Sequence, residues 1–136
     1  MVCYESIYPD LVASFVRKGA QFLVVITNDS WWGNTSGAYQ HLQYATLRAI
    51  ENRRSIVRCA NGGVSCFIDP HGRISHARDL YTRGALVGDV RLSEERTFYS
   101  SYGDVFAQAC TGIGILSIGG AFIGKSKRKK QNGATI

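Results

Sequence analysis

The stretch MVCYESIYPD places a cysteine, Cys3, shortly before the point where a helix is predicted to begin, near Pro9. If Val2 ends a strand, Cys3 lies on a strand-to-helix turn, which exposes a thiol at the edge of a sheet. A thiolate in that position can attack an acyl carbon and hold the acyl group as a thioester. Most single cysteines are instead buried and unreactive, and the spacing alone leaves both interpretations open.

A second group of side chains capable of chemistry follows a predicted strand. The strand is QFLVVIT, residues 21–27, a continuous apolar run that predicts burial on both faces. The loop after it, NDSWWG, lies at the carboxyl end of the strand, where α/β proteins place their sites. Asn28 and Asp29 are predicted to fix the loop, and Trp31 and Trp32 to line an apolar pocket or contact lipid. A loop whose tryptophans only fill the core fits the same sequence.

One histidine, His41, lies near the start of a helix predicted over residues 38–54. At that position it can cap or pack the helix, or it can take part in a site. The three histidines and four cysteines do not have the spacing of zinc ligands, so no metal and no other cofactor is expected. Cys59 and Cys66 are predicted to be small buried hydrophobic residues, with a disulfide between them as the alternative.

The order of the predicted elements indicates an α/β domain over residues 1–104. Strands are predicted at 21–27, 55–61, 64–70 and 85–92, in alternation with the two helices. The second and third strands are joined by Asn61-Gly62-Gly63, a tight-turn signal. These strands are too few to close a sheet with helices on both faces, which indicates that the domain is incomplete.

The C-terminal part of the sequence combines an apolar run with a basic cluster. Residues 105–124 carry no charge, and 20 helical residues span about 30 Å, the hydrocarbon thickness of a bilayer. We therefore predict a transmembrane helix there, with a glycine-rich buried helix or hairpin as the alternative. The basic tail, residues 125–136, is predicted to be cytoplasmic. Residues 1–104 would then lie on the other side of the membrane, which predicts an export signal or membrane segment upstream.

The basic tail also explains the net charge. Five of the sixteen basic residues lie between Lys125 and Lys130, and without them the net charge of +6 falls to +1. The charge is confined to one short segment beside an apolar run, so a nucleic-acid-binding face is not expected.

Several motifs together resemble one known family. VCYES, ITNDSWWG, the long stretch QHLQYATLRAIENRRSIVRCANGGVSCFIDPHGRI and TFYSSYGD are similar to the second half of apolipoprotein N-acyltransferases, a membrane-embedded branch of the nitrilase (carbon–nitrogen hydrolase) superfamily. The resemblance covers about residues 2–124. It departs at Ala38-Tyr39, where a proline is common, and at Asn61-Gly62-Gly63, where Asn-Thr-Gly is usual. The fold it implies is the C-terminal half of an αββα sandwich followed by one transmembrane helix.

The resemblance also implies an activity and a set of site residues. Cys3 matches the nucleophile, and Tyr4 and Glu5 match residues that support it. The other candidate residues of the site and its substrate pocket are Asn28, Asp29, Trp31, Trp32 and His41. The family's general-base Glu and oxyanion-stabilising Lys belong to the first half of the domain and have no counterpart here, so the chain alone is expected to be inactive.

The implied reaction joins two partners that both reside in the membrane. Cys3 would take an acyl chain from a phospholipid, and the α-amine of a diacylglyceryl-cysteine at a lipoprotein N-terminus would accept it. The implied location is the bacterial plasma (inner) membrane, with the catalytic part on the periplasmic face.

Two other functions stay open at this point. A nitrilase-type amidase that hydrolyses C–N bonds through Cys3 requires residues 105–124 to pack inside a globular fold. A non-catalytic membrane-anchored module requires that Cys3→Ala have no effect even when the missing half of the domain is restored.

Overall fold

Two α-helices and four strands occupy most of the first eighty residues of the chain. The computed structural model describes the backbone of residues 1–132 and the side chains of residues 1–120. Its regular elements are α1 (Pro9–Arg17), β1 (Leu23–Asn28), α2 (Ser36–Asn52), β2 (Ile56–Asn61), β3 (Ser65–Ile68), β4 (Ile74–Arg78), α3 (Phe98–Tyr102) and α4 (Val105–Asn132). The chain divides into two compact units, and the second begins at Asp104.

The four strands form one mixed sheet in the order β1-β2-β3-β4. β1 and β2 are parallel and are connected through α2, whereas β2, β3 and β4 pair as antiparallel neighbours. On the outer side of β1, Val2 forms an isolated parallel bridge with Ile26. This mixed sheet with its covering helices confirms the α/β class predicted from the sequence.

The core lies on one face of the sheet. Leu23 and Val25 of β1 point into it, where they meet α1 and α2. Val24 and Ile26 alternate with them and are 37% and 58% exposed. The prediction that this strand is buried on both faces is therefore wrong. Both strand faces are apolar in sequence, but among the described residues only one is covered.

The fourth strand is not the one that the sequence predicted. Residues 85–92, predicted as the last strand, have no regular structure, and β4 occupies residues 74–78 instead. The turn between β3 and β4 explains this, because the Asp69 carboxylate accepts hydrogen bonds from the backbone N–H groups of His71 and Arg73. The turn returns the chain directly onto β3, so the edge of the sheet is already filled when the chain reaches residue 85.

The helix α4 includes the whole of the predicted transmembrane segment. Residues 105–124 lie within α4, but their side chains are described only as far as residue 120. Within the described part of the chain, no helix is long and apolar enough to cross a membrane. The side chains of the basic tail, residues 125–136, lie outside the described residues.

Of the two cysteines predicted to be buried, Cys59 and Cys66, only Cys66 is buried. Cys66 on β3 is buried, but Cys59 on β2 is exposed, and both thiols are free. Arg58 pairs with Cys66 across the two strands, so Cys59, the next residue, points to the opposite face of the sheet. The alternative of a Cys59–Cys66 disulfide is excluded by this geometry.

The two thiols are expected to differ in reactivity. Burial raises the pKa of the Cys66 thiol to about 11, although the nearby Arg58 charge opposes the shift. At pH 8 roughly one Cys66 side chain in a thousand is then a thiolate. Treatment with iodoacetamide at pH 8 is expected to alkylate Cys59 and leave Cys66 unmodified, as measured by peptide mass spectrometry. Equal labelling of the two would contradict the burial of Cys66.

Candidate functional site

Cys3 lies on a sharp turn at the carboxyl edge of the sheet. The backbone N–H of Ile26 donates to the carbonyl of Met1 at 3.0 Å, which joins the chain before Cys3 to β1. Cys3 itself has φ = +50° and starts a short 3-10 helix, Cys3–Ile7. A left-handed conformation costs a non-glycine residue about 1 kcal/mol or more. The cysteine is half-buried at this turn, between the isolated bridge at Val2 and the 3-10 helix that it starts.

The two residues after Cys3 hold this turn in different ways. Glu5 Oε2 accepts a hydrogen bond from the backbone N–H of Val2 at 2.7 Å. The Tyr4 ring stacks on the ring of His41, with 5.3 Å between the centroids and 23° between the planes. Tyr4 therefore connects the turn to α2, and Glu5 closes it locally.

Asp29 is fully buried just after β1, with three side chains around its carboxylate. Oδ1 accepts from Thr27 Oγ1 at 2.9 Å and lies 2.8 Å from His41 Nδ1. Oδ2 accepts from Nη2 of Arg58, which is itself buried on β2. Gly63 leaves the necessary space, because a Cβ there would lie 2.3 Å from Oδ2. Asp29 is therefore a buried charge that is paired with Arg58 and contacted by Thr27 and His41.

The charge of Asp29 is stabilised by its neighbours. Burial alone raises the pKa of this carboxyl, but the hydrogen bond to His41, the Arg58 charge and the Thr27 hydroxyl together hold it below its usual value. A carboxyl whose pKa is lowered by folding stabilises the folded state above its unfolded-state pKa. That contribution is lost as the pH falls through the folded-state pKa.

The free energy of unfolding is therefore expected to fall when the pH is lowered below about 4. Urea titrations followed by tryptophan fluorescence between pH 7 and pH 3 measure this. Asp69, whose pKa is also lowered, contributes to the same slope. In the Asp69→Asn variant, the free energy of unfolding should still fall below about pH 4, but less steeply. If it no longer depends on pH in this variant, Asp29 does not contribute.

Ser6 joins the turn to the buried group. Its Oγ donates to the carbonyl of Cys3 at 3.1 Å and lies 3.1 Å from His41 Nε2. Ser6 lies one turn of the 3-10 helix after Cys3, so its side chain returns to the start of that helix. A continuous path of hydrogen bonds thus runs from Cys3 through Ser6 and His41 to Asp29.

An aromatic cavity opens beside this path. It has a volume of about 210 Å³ and is lined by Tyr4, Ile7, Trp32, Gly37, Gln40, His41 and Tyr44. Gly37 is required here, since a Cβ would lie 2.5 Å from the Trp32 ring. The cavity is mostly apolar with one histidine edge, which suits part of an apolar substrate.

The predicted site residues do not all gather at this point. Asn28 fixes the loop as expected: its Oδ1 accepts from Ser30 N at 3.2 Å, Ser30 Oγ at 2.6 Å and Asn61 Nδ2 at 3.1 Å. Trp32 lines the cavity, but Trp31 is 85% exposed and does not. Within the described side chains, no group of three or more His, Cys, Asp or Glu residues is placed to hold a metal ion.

The sequence reasoning missed two members of the group, Ser6 and Arg58. Arg58 had a readable signal, because an arginine inside the apolar strand SIVRCAN requires a buried acid as partner. Asp29, at the end of the neighbouring strand, is that partner. Ser6 had no such signal, since its role depends on the position of His41, 35 residues away.

The chain is similar in sequence to proteins of a known family. Residues 1–99 match the family model described as carbon–nitrogen hydrolase. The apolipoprotein N-acyltransferase of Geobacter metallireducens is 47% identical over 110 residues, which cover 81% of this chain and 21% of that protein. The apolipoprotein N-acyltransferase of Chlorobaculum tepidum is 44% identical over 119 residues, 87% of this chain and 22% of that protein. That of Thermotoga maritima is 31% identical over 135 residues, 99% of this chain and 26% of that protein.

These relatives confirm the resemblance predicted from the sequence motifs. The chain spans about a fifth to a quarter of the length of the curated relatives it matches. The solved structure of Saccharomyces cerevisiae Nit3, a member of branch 10 of the nitrilase superfamily, is 24% identical and covers 58% of this chain and 32% of that one. The TM-score of that match is 0.46. On the match over residues 1–99, the chain belongs to the carbon–nitrogen hydrolase family.

Proposed function

We propose that this chain is the nucleophile-bearing part of an apolipoprotein N-acyltransferase. The observation that carries the proposal is the half-buried Cys3 on a left-handed turn at the sheet edge, in a chain whose relatives bear that name. The aromatic cavity next to the turn supports it, because it offers an apolar surface beside the thiol's own helix.

The proposed reaction has two steps. The Cys3 thiolate attacks the ester carbonyl of a phospholipid; an S–C bond forms, the C–O ester bond breaks, and a lysophospholipid leaves with its hydroxyl group. The α-amine of a diacylglyceryl-cysteine on a lipoprotein then attacks the thioester. An amide bond forms, the C–S bond breaks, and the thiol is restored. The covalent intermediate divides one difficult transfer into two easier steps.

The general base and the oxyanion-stabilising cation are proposed to come from residues outside this chain. Among the described residues, no side chain makes a hydrogen bond to the Cys3 thiol, and the Glu5 carboxylate is engaged by the backbone of Val2. Each missing group would cost about 3–4 kcal/mol of transition-state stabilisation. We therefore expect the 136-residue chain alone to be inactive.

The fold is proposed to be half of an αββα sandwich. The uncovered sheet face supports this, because Val2, Val24 and Ile26 leave an apolar surface beside the buried core. A second sheet packed about 10 Å away would bury that surface.

The membrane assignment is proposed on the sequence alone. Residues 105–124 would cross the bacterial plasma membrane, residues 1–104 would lie on the periplasmic face and residues 125–136 in the cytoplasm. Both substrates of the proposed reaction are held in the same bilayer, so an anchored domain would bring thiol and lipid together by proximity. The exposed Trp31 suits the interface of such a membrane.

A chimera tests the function. This chain replaces the segment that it matches in the Geobacter metallireducens relative, and membranes containing the chimera receive phospholipid and a diacylglyceryl-cysteine peptide. Mass spectrometry should detect the N-acylated peptide, and the 136-residue chain alone should produce none. An active chain alone would refute the claim of inactivity. A chimera that releases ammonia from small amides but does not acylate the peptide would instead support an amidase.

A further inference from the structure

Ser6, His41 and Asp29 have the order of hydrogen bonds found in a Ser–His–Asp triad. The serine Oγ lies 3.1 Å from Nε2 of the imidazole, and Nδ1 lies 2.8 Å from Oδ1 of the carboxylate. The serine is nevertheless fully buried, with an exposed fraction of 0%. Its hydroxyl also donates to the carbonyl of Cys3. No substrate carbonyl can reach this oxygen, so the three residues do not form a second nucleophilic site.

We propose that Ser6 is a positioning residue for Cys3, and that His41, Asp29 and Arg58 hold Ser6 in place. The inference rests on the proposed function, in which Cys3 is the nucleophile. Ser6 fixes the carbonyl of the strained residue and, through it, the direction in which the thiol points.

Cys3 needs the hydrogen bond from Ser6 because its backbone conformation is strained. A residue with φ = +50° and a Cβ returns to a negative φ unless its surroundings hold it. The hydrogen bond from Ser6 Oγ to the Cys3 carbonyl acts directly on that peptide group. Releasing it lets the turn relax, and the thiol then leaves the geometry needed for attack.

The rest of the path anchors Ser6 to the sheet. His41 links Ser6 to the carboxylate, since its Nε2 lies 3.1 Å from Ser6 Oγ and its Nδ1 lies 2.8 Å from Asp29 Oδ1. Asp29 is bound in turn by Thr27 on β1 and by Arg58 on β2. All these side chains are buried, so water does not compete for their hydrogen bonds. The turn that carries Cys3 is therefore connected by hydrogen bonds to the two parallel strands, β1 and β2.

The experiment compares two buried serines in the chimera. Ser6→Ala removes the hydroxyl under test. Ser100→Ala makes the same change at another fully buried serine, whose hydroxyl bonds only within the α3 cap. The readouts are kcat and KM for acyl transfer, and hydrogen exchange measured by mass spectrometry on peptides covering residues 1–8, 23–28 and 97–103.

Ser6→Ala is expected to lower kcat about ten-fold with KM within about two-fold, since a lost hydrogen bond and an unpaired buried partner cost that much. Exchange should become faster in residues 1–8, and within residues 23–28 only the amide of Ile26, which donates to the Met1 carbonyl, should follow it. Ser100→Ala should speed exchange only in residues 97–103 and leave kcat unchanged. Ser6→Thr, which keeps the hydroxyl, should restore most of kcat.

Unchanged kcat and unchanged exchange over residues 1–8 in Ser6→Ala would overturn the proposal, as would equal losses in both serine variants. If Ser6→Ala does not fold, His41→Asn serves instead. It keeps a donor for Asp29 and removes the nitrogen that faces Ser6, and the same local change in exchange is expected. A chimera without acyl transfer in which Ser6→Ala still loosens residues 1–8 would reject the proposed function and leave the positioning role supported.

Discussion

Replacing Cys3 by serine in the chimera is expected to lower kcat for acyl transfer by about 10⁴-fold or more, because the group that forms the covalent intermediate is lost. A serine hydroxyl is a much weaker nucleophile than a thiolate, even with the general base that the rest of the chimera supplies. The measurement is the initial rate of N-acylation of the diacylglyceryl-cysteine peptide.

Cys59→Ser is the matched control for Cys3→Ser. It makes the same chemical change at an exposed cysteine on β2 that lies outside the aromatic cavity. We expect acyl transfer in this variant to stay within two-fold of the unmodified chimera. A Cys3→Ser chimera that keeps a tenth of the activity would remove Cys3 from the role of nucleophile.

Replacing Arg58 by methionine is expected to lower the free energy of unfolding by about 3–5 kcal/mol, or to leave the first unit unfolded. The substitution leaves the Asp29 carboxylate in the core without its counter-charge, and it also removes the hydrogen bond from Arg58 Nε to the carbonyl of Val64. Both tryptophans lie in the first unit, so urea unfolding followed by tryptophan fluorescence reports on it.

Arg83→Met is the control for this stability measurement. Arg83 is exposed, and its loss is expected to change the free energy of unfolding by less than about 0.5 kcal/mol. A loss below 1 kcal/mol for Arg58→Met would mean that the buried ion pair does not support the turn that carries Cys3.

The elements that the sequence predicted correctly are those with a local signal. Pro9 is the first residue of α1, the β-branched run became β1, and Asn61-Gly62-Gly63 joins two antiparallel strands. The misplaced last strand has a different cause. Residues 74–78 carry only one large apolar side chain and gave no strand pattern, but the Asp69 turn delivers them to the free edge of β3. The position of β4 is therefore determined by its pairing with β3 and not by a local sequence pattern.

The site residues also divide into those with a local sequence signal and those that depend on distant partners. Cys3 on its turn and Asn28 in its loop were predictable because the residues that determine their positions are close in sequence. Ser6 was not predicted, since its partner His41 is 35 residues away, and Arg58 contacts a partner 29 residues away that only the pairing of β1 with β2 brings near it. The exposure of Val24 and Ile26 was also not predictable from their types, because an apolar face does not reveal which segment covers it.

The central claim is that Cys3 carries the acyl group as a thioester, and acyl-enzyme mass spectrometry tests it most directly. The chimera is incubated with a phospholipid of defined acyl chains in the absence of the acceptor peptide, and its peptides are then analysed before and after treatment with hydroxylamine. The peptide that contains Cys3 should gain the mass of one acyl chain and lose it with hydroxylamine. Acyl transfer without any adduct on Cys3, or with the adduct on another residue, would contradict the account.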